Sequence, residues 1–198
     1  GRSDASSRQN RFQNRNTADQ IKNGYVWEDL DGFIYRAGYK PPVHTDLIVL
    51  LAILQRSQHQ DWQKEIILTR YELLQDCSFS TKQGTHWYER IEESLERWMH
   101  VVVTFEGTFY DKPNRVKMQF HILYHWELNK DTKKLRIHIN PKWIERIQHS
   151  TYFKMLDFNQ MKALRSPLAT RLYELLIKTF EGRPDWSCGA LKLAKKIP

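Results

Sequence analysis

Residues 65–105 read EIILTRYELLQDCSFSTKQGTHWYERIEESLERWMHVVVTF, and the order of patterns within them decides the fold. Glu65-Ile66-Ile67-Leu68 is apolar and too short for anything but a strand. Thr69 follows, with Glu72 three residues on. That spacing is a capping box, in which hydroxyl and carboxylate each take an N–H that the first helical turn leaves unpaired. It predicts a short helix from Arg70 to about Asp76. Ser80, with Thr81 as the competing choice, caps the next helix, which runs to about His100. Trp87, Ile91, Leu95 and Trp98 recur one or two turns apart and share one face of it. Gly84 weakens its first turn or marks a close approach. From Val101 onward the period becomes that of a strand.

Outward from this stretch the pattern stays readable. Upstream, Pro41-Pro42 precedes a helix opened by His44 or Thr45, with Asp46 suited to its positive end and Leu47 to Leu54 apolar nearly all round. Further upstream, Tyr25, Trp27, Phe33, Tyr35 and Tyr39 surround Asp31-Gly32, which predicts a small hairpin. Downstream, Val101–Tyr110, Val116–Leu128 and Leu135–Ile139 are separated by the turns Asp111–Asn114 and Asn129–Asp131, which predicts a three-stranded meander. Asn140 then caps a helix beginning at Pro141, with Trp143, Ile144 and Ile147 inward. Phe158–Leu164 makes a helical turn or two. Ser166-Pro167 opens a longer helix whose expected buried stripe is Leu168, Leu172, Leu175, Leu176 and Thr179, with Gly182 as its stop. Trp186–Pro198 reads as a strand and a short helix.

Helix, strand, helix, helix and then a hairpin is the order of an α+β winged helix, a helix-turn-helix with a β-hairpin wing. Arg70–Cys77 and Thr81–His100 form the helix pair, joined by Ser78-Phe79-Ser80. The start of the third helix offers Thr81, Lys82, Gln83, Thr85 and His86 to base edges or phosphates, with Arg90 one turn on. The hairpin at Asp111–Asn114 carries Lys112, Arg115 and Lys117 for phosphate contacts. Glu89, Glu92, Glu93 and Glu96 oppose deep entry into a groove, because phosphate repels carboxylate. Either the first turn alone enters, or the domain chiefly contacts protein. The aromatic strands, with Phe105, Phe109, Tyr110, Phe120, Tyr124 and Trp126, supply either core or a dimerisation edge.

Composition agrees with this class. The chain has 198 residues, and 31 Lys and Arg against 23 Asp and Glu leave a net charge of +8, which favours a polyanionic partner. Residues 1–23 hold Arg2, Arg8, Arg11, Arg15 and Lys22 with almost nothing to bury, and read as a disordered basic arm. Residues 24–150 form the first domain, and 151–198 a connecting helix with the truncated start of a second. Two cysteines, Cys77 and Cys188, make neither a zinc cluster nor a disulfide framework. The first twenty residues lack the apolar stretch of a secretory signal. No apolar run approaches the roughly 18 residues of a membrane span. The expectation is a cytoplasmic protein, associated with the nucleoid or a plasmid, without cofactor or metal.

Thr69-Arg70-Tyr71-Glu72-Leu73-Leu74, followed by Trp87-Tyr88-Glu89-Arg90-Ile91 and Leu95-Glu96-Arg97-Trp98, resembles plasmid-type replication initiators of the replication initiator protein A group. Leu164-Arg165-Ser166-Pro167-Leu168-Ala169-Thr170-Arg171-Leu172-Tyr173 is similar to the helix leading into their second winged helix. The resemblance covers roughly residues 30–198. It implies tandem winged helices that bind repeated origin sequences (iterons) as double-stranded DNA. It also implies dimerisation through the first domain and recruitment of a host helicase or host initiator. The aromatic lead-in at 25–39 has no counterpart in that resemblance.

Other classes fit less well. A metal-dependent nicking initiator needs two histidines one residue apart on a strand, whereas His121 and His125 are four apart and His138 has no such partner at 136 or 140. No Walker A loop is present, so an ATPase of that type is excluded. A winged-helix transcriptional regulator, or a dimerisation module that never touches DNA, remains compatible with the same pattern.

Overall fold

The computed structural model describes residues 25–28, 33–37, 40–80, 84–107, 116–149, 157–164, 166–180, 185, 187–191 and 193. Helix α1 (His44–His59) begins at His44, the earlier of the two expected starts, with Val43 as its cap. Val43 has no side-chain oxygen, so the cap is one-sided: its N–H donates to the Asp46 carboxylate at 2.7 Å. Strand β3 (Glu65–Thr69) and helix α2 (Arg70–Asp76) follow as read, and the capping box between them forms. Thr69 N–H donates to Glu72 Oε2 at 2.6 Å, and Glu72 N–H donates back to Thr69 Oγ1 at 3.1 Å. Helix α3 spans Gly84–Met99, and its anticipated start at 81–83 lies outside the described residues.

Helix α2 ends in a Schellman motif. Ser78 N–H donates to the Gln75 carbonyl at 2.9 Å and Phe79 N–H to that of Leu74 at 3.0 Å. This places Ser78 at φ 57°, where glycine is the usual occupant. The turn redirects the chain so that α3 crosses α2, and the Phe79 and Trp87 rings stack 4.6 Å apart at the junction.

The expected three-stranded meander is two sheets instead. Strands β4 (Val101–Gly107), β5 (Val116–His121), β6 (Leu123–Leu128) and β7 (Lys134–Ile139) are consecutive and antiparallel pairs, but β5 and β6 part at Ile122. The physical cause is that Ile122 and Leu123 are both buried, and successive residues of a regular strand cannot both face inward. One sheet has the order β1–β2–β4–β5, with β1 (Tyr25–Glu28) and β2 (Phe33–Ala37) forming the anticipated hairpin. The aromatic lead-in thus finds its place as two strands added to β4. The other sheet has the order β3–β7–β6.

Helices α1, α2 and α3 pack with both sheets around one core that includes Ile53, Ile66, Leu74, Ile91, Leu95, Leu123, Ile137 and Ile139. Helix α4 (Pro141–His149) starts on the Asn140 cap, whose Oδ1 accepts from Lys142 N–H at 3.0 Å, and it buries Ile144. Helix α5 (Phe158–Ala163) is capped by Asp157 and adds Phe158 to the core. In α6 (Pro167–Phe180) the expected stripe is corrected in part: Leu175 is buried, but Leu168 is 53% and Leu176 38% exposed. Thr170 turns inward instead, its hydroxyl 3.5 Å from His44 Nδ1 and bonded to the Ser166 carbonyl. The expected strand after α6 is not formed at 187–189, the described residues there, while 190, 191 and 193 are helical. No helix among the described residues is long and apolar enough to cross a membrane.

Candidate nucleic-acid interface

Helix α3 is amphipathic in a way that leaves its opening accessible. Ile91, Leu95 and Trp98 are buried, while Thr85, His86 and Glu89 are exposed. Two of the expected contact residues, Thr85 and His86, therefore lie on an open first turn. Thr81, Lys82 and Gln83 lie outside the described residues, as do Lys112 and Arg115.

Arg90 is held by its own protein. Its Nη1 donates to Glu93 Oε2 at 2.8 Å, and Nη2 lies 3.9 Å from the buried carboxylate of Asp46. The acidic stripe is also less bare than the sequence suggested. Glu93 is shared between Arg90 and Arg97, Glu92 pairs with Arg70 at 2.5 Å, and Glu96 lies 3.0 Å from His100 Nε2. Arg70 in turn sits over the Tyr88 ring at 4.6 Å. Among the described residues, Glu92, Glu93 and Glu96 thus each carry a nearby cation or imidazole, and Glu89 is exposed.

The hairpin after α3 was expected to be the wing, yet β4–β5, which carries exposed Lys117, pairs with β2. The hairpin that joins the β3 sheet is β6–β7, through β7. Its turn is built by Asn129, whose Oδ1 accepts from Asp131 N–H at 3.0 Å and Thr132 N–H at 2.9 Å. Lys133 completes the reversal at φ 58°, and Asn129 N–H closes on the Lys134 carbonyl at 2.9 Å. Lys130, Lys133 and Lys134 are all exposed there. Sequence reasoning found this turn but assigned it no role; the signal was three lysines in five residues, Lys130 to Lys134, beside an Asn able to fold the loop.

His121 and His125 fall in different sheets: His121 Nδ1 meets the Met99 carbonyl at 2.9 Å, and His125 is the cross-strand neighbour of His138. Cys77 is buried, and burial pushes its thiol up to about 12, which makes it a core residue rather than a nucleophile.

Two solved structures of RctB share the architecture. The chain aligns with the crystal structure of domains 2 and 3 of RctB at a TM-score of 0.59 and 13% identity, covering 83% of this chain and 65% of that one. A second RctB structure, residues 155–483, gives 0.53 at 13% identity, with 79% and 63% covered. The chain thus spans a little under two thirds of the RctB chains it matches. The WH1 domain of the replication protein MSBI1.176 aligns at 0.40, with 8% identity over 63% of this chain and 86% of that one. No curated protein matches it. Residues 33–177 match the family described as initiator replication protein, WH1. That match takes in the helix-turn-helix, the β3–β7–β6 sheet, all of the other sheet except β1, and most of α6, and the chain belongs to the WH1 family of replication initiators.

Proposed function

We propose that this chain binds double-stranded DNA at repeated origin sequences and helps start replication of a plasmid or similar replicon. The observation that carries the reading is the open first turn of α3, presenting Thr85 and His86, in a fold whose β6–β7 turn holds three exposed lysines. Short and imidazole side chains at a helix start suit base edges, and lysines on a turn suit phosphates. Thr81, Lys82 and Gln83 extend the base-facing set, while Lys112, Arg115 and Lys117 extend the phosphate-facing one. Arg90 serves chiefly to hold α3 against α1.

The wider assignment rests on the family. Residues 24–150 carry the first winged helix and dimerise, the basic segment 1–23 follows DNA non-specifically, and residues 151–198 lead toward a second winged helix. A host helicase or host initiator is the protein partner, and the setting is the bacterial cytoplasm. Titration of the full chain with a duplex of origin repeats and a shuffled duplex, at several salt concentrations, tests this. Tighter binding to the repeats, with affinity falling as salt rises, is expected. Equal, salt-independent binding would overturn it. A transcriptional regulator would show the same binding but would not support origin-dependent plasmid maintenance.

A further inference from the structure

The outer face of the β3–β7–β6 sheet carries a group of side chains that the DNA reading does not use. His125 and His138 are paired across β6 and β7, with Glu65 next to His138 on β3. The next row holds Glu127 opposite Arg136. A register shift between Leu123 and His125 puts one extra residue, Tyr124, into β6 immediately before the pair. Such bulges re-aim side chains and often stand beside functional positions.

We propose that His125 and His138 form the anchor of a surface site for a divalent transition metal, zinc by preference, with Glu65 and Glu127 at its rim. The rings are spaced for it. A zinc-bound imidazole nitrogen lies about 2.0–2.1 Å from the ion, so two rings on one tetrahedral ion have centres roughly 5 Å apart. The His125 and His138 centroids are 5.3 Å apart, with the planes inclined at 44°. Both rings reach solvent, the side chains being 50% and 20% exposed.

The carboxylates are arranged symmetrically about one guanidinium. Glu65 Oε1 lies 3.3 Å from Arg136 Nε, and Glu127 Oε1 lies 3.2 Å from Arg136 Nη1. Each turns its other oxygen toward a histidine: Glu65 Oε2 is 3.9 Å from His138 Nδ1, and Glu127 Oε2 is 3.7 Å from His125 Nε2. Two carboxylates share one guanidinium, so the acidic side chains outnumber the basic one by a single charge, which draws a cation. Among the described residues no three such groups converge on one point as they stand. The imidazoles therefore hold the ion, water completes its shell, and a carboxylate joins by rotation of an exposed side chain. The ion would tie β6 to β7 on the hairpin that ends in the lysine turn.

The test is a titration of the full chain with zinc, followed by calorimetry and thermal melting. Micromolar binding of one ion with a higher melting temperature is expected. His125→Asn and His138→Asn should each weaken binding at least 10-fold, and Glu65→Gln with Glu127→Gln about 10-fold, as loss of supporting carboxylates does at other sites. Cobalt bound to the unaltered chain should show the visible absorption of a nitrogen-ligated ion, a readout that needs no variant. Unchanged zinc affinity in both histidine variants would mean the ion sits elsewhere. No binding below about 1 mM would leave the pair as a solvated cross-strand contact. Either result overturns the proposal.

Discussion

Arg97 on α3 reaches Asp46 in the first turn of α1, with Nη1 2.8 Å from Oδ2 and the carboxylate fully buried. The same aspartate takes the Val43 N–H, and its backbone carbonyl accepts Trp98 Nε1–H at 2.7 Å. One residue therefore caps α1 and fixes two successive residues of α3. A charge buried with its partner is poor evidence of net stabilisation, but removing one member strands the other. Asp46→Ala is expected to cost about 3–5 kcal/mol in urea denaturation. Replacing both members, Asp46→Leu with Arg97→Met, should recover a large part of that loss. A single variant within 1 kcal/mol of the parent would show that the pair does not orient α3.

That pair also marks where sequence reading stops. The capping box, the three-helix order and the buried face of α3 were legible, because each rests on local patterns of capping and apolar spacing. Asp46 was read only as an acid at a helix N-terminus, since nothing local reveals an arginine 51 positions away. The division into two sheets was missed for a different reason. Val116–Leu128 looks like one strand until the adjacent pair Ile122-Leu123 is weighed as a break of period. The lysine turn was given no role for the same reason, because a wing is defined by which strand its hairpin pairs with, and pairing is not written in the hairpin itself. His125 and His138 lay in one aligned row only once the bulge at Tyr124 had shifted the register.

Ser78 carries a conformational cost that glycine would remove. It occupies the left-handed region at φ 57° to close the Schellman motif, and a Cβ is disfavoured there. Ser78→Gly is expected to stabilise the chain by about 0.5–1 kcal/mol, the greater freedom of glycine in the unfolded chain offsetting part of the relief. A rise in the denaturation midpoint at constant slope is the result to look for. A fall would mean the serine side chain contributes more than its backbone costs.

Glu72 makes part of the stability pH-dependent. The Thr69 backbone N–H, then its hydroxyl, hold the Glu72 carboxyl below its ordinary value. A depressed carboxylate adds stability that is present above the unfolded value of about 4.3 and is lost as the pH falls through the folded value. Glu72→Ala should therefore cost about 1 kcal/mol at pH 7 and show a flatter decline between pH 5 and 3 than the parent. Parallel curves would remove this carboxylate from the acid response.

Lys133 separates folding from binding in a single substitution. Its backbone sits at φ 58° in the β6–β7 turn, where glycine is better suited, while its ammonium is exposed for a phosphate. Lys133→Gly is expected to raise stability by about 0.5–1 kcal/mol and yet weaken duplex binding. Because a phosphate contact carries no sequence information, repeat and shuffled duplexes should weaken alike, and the slope of log affinity against log salt should fall by about 0.9. Measured by denaturation and by fluorescence anisotropy at four salt concentrations, the two effects have opposite signs. A variant that gains stability with an unchanged salt slope would take the β6–β7 turn out of the DNA interface and return the search for the wing to Lys117 and its hairpin.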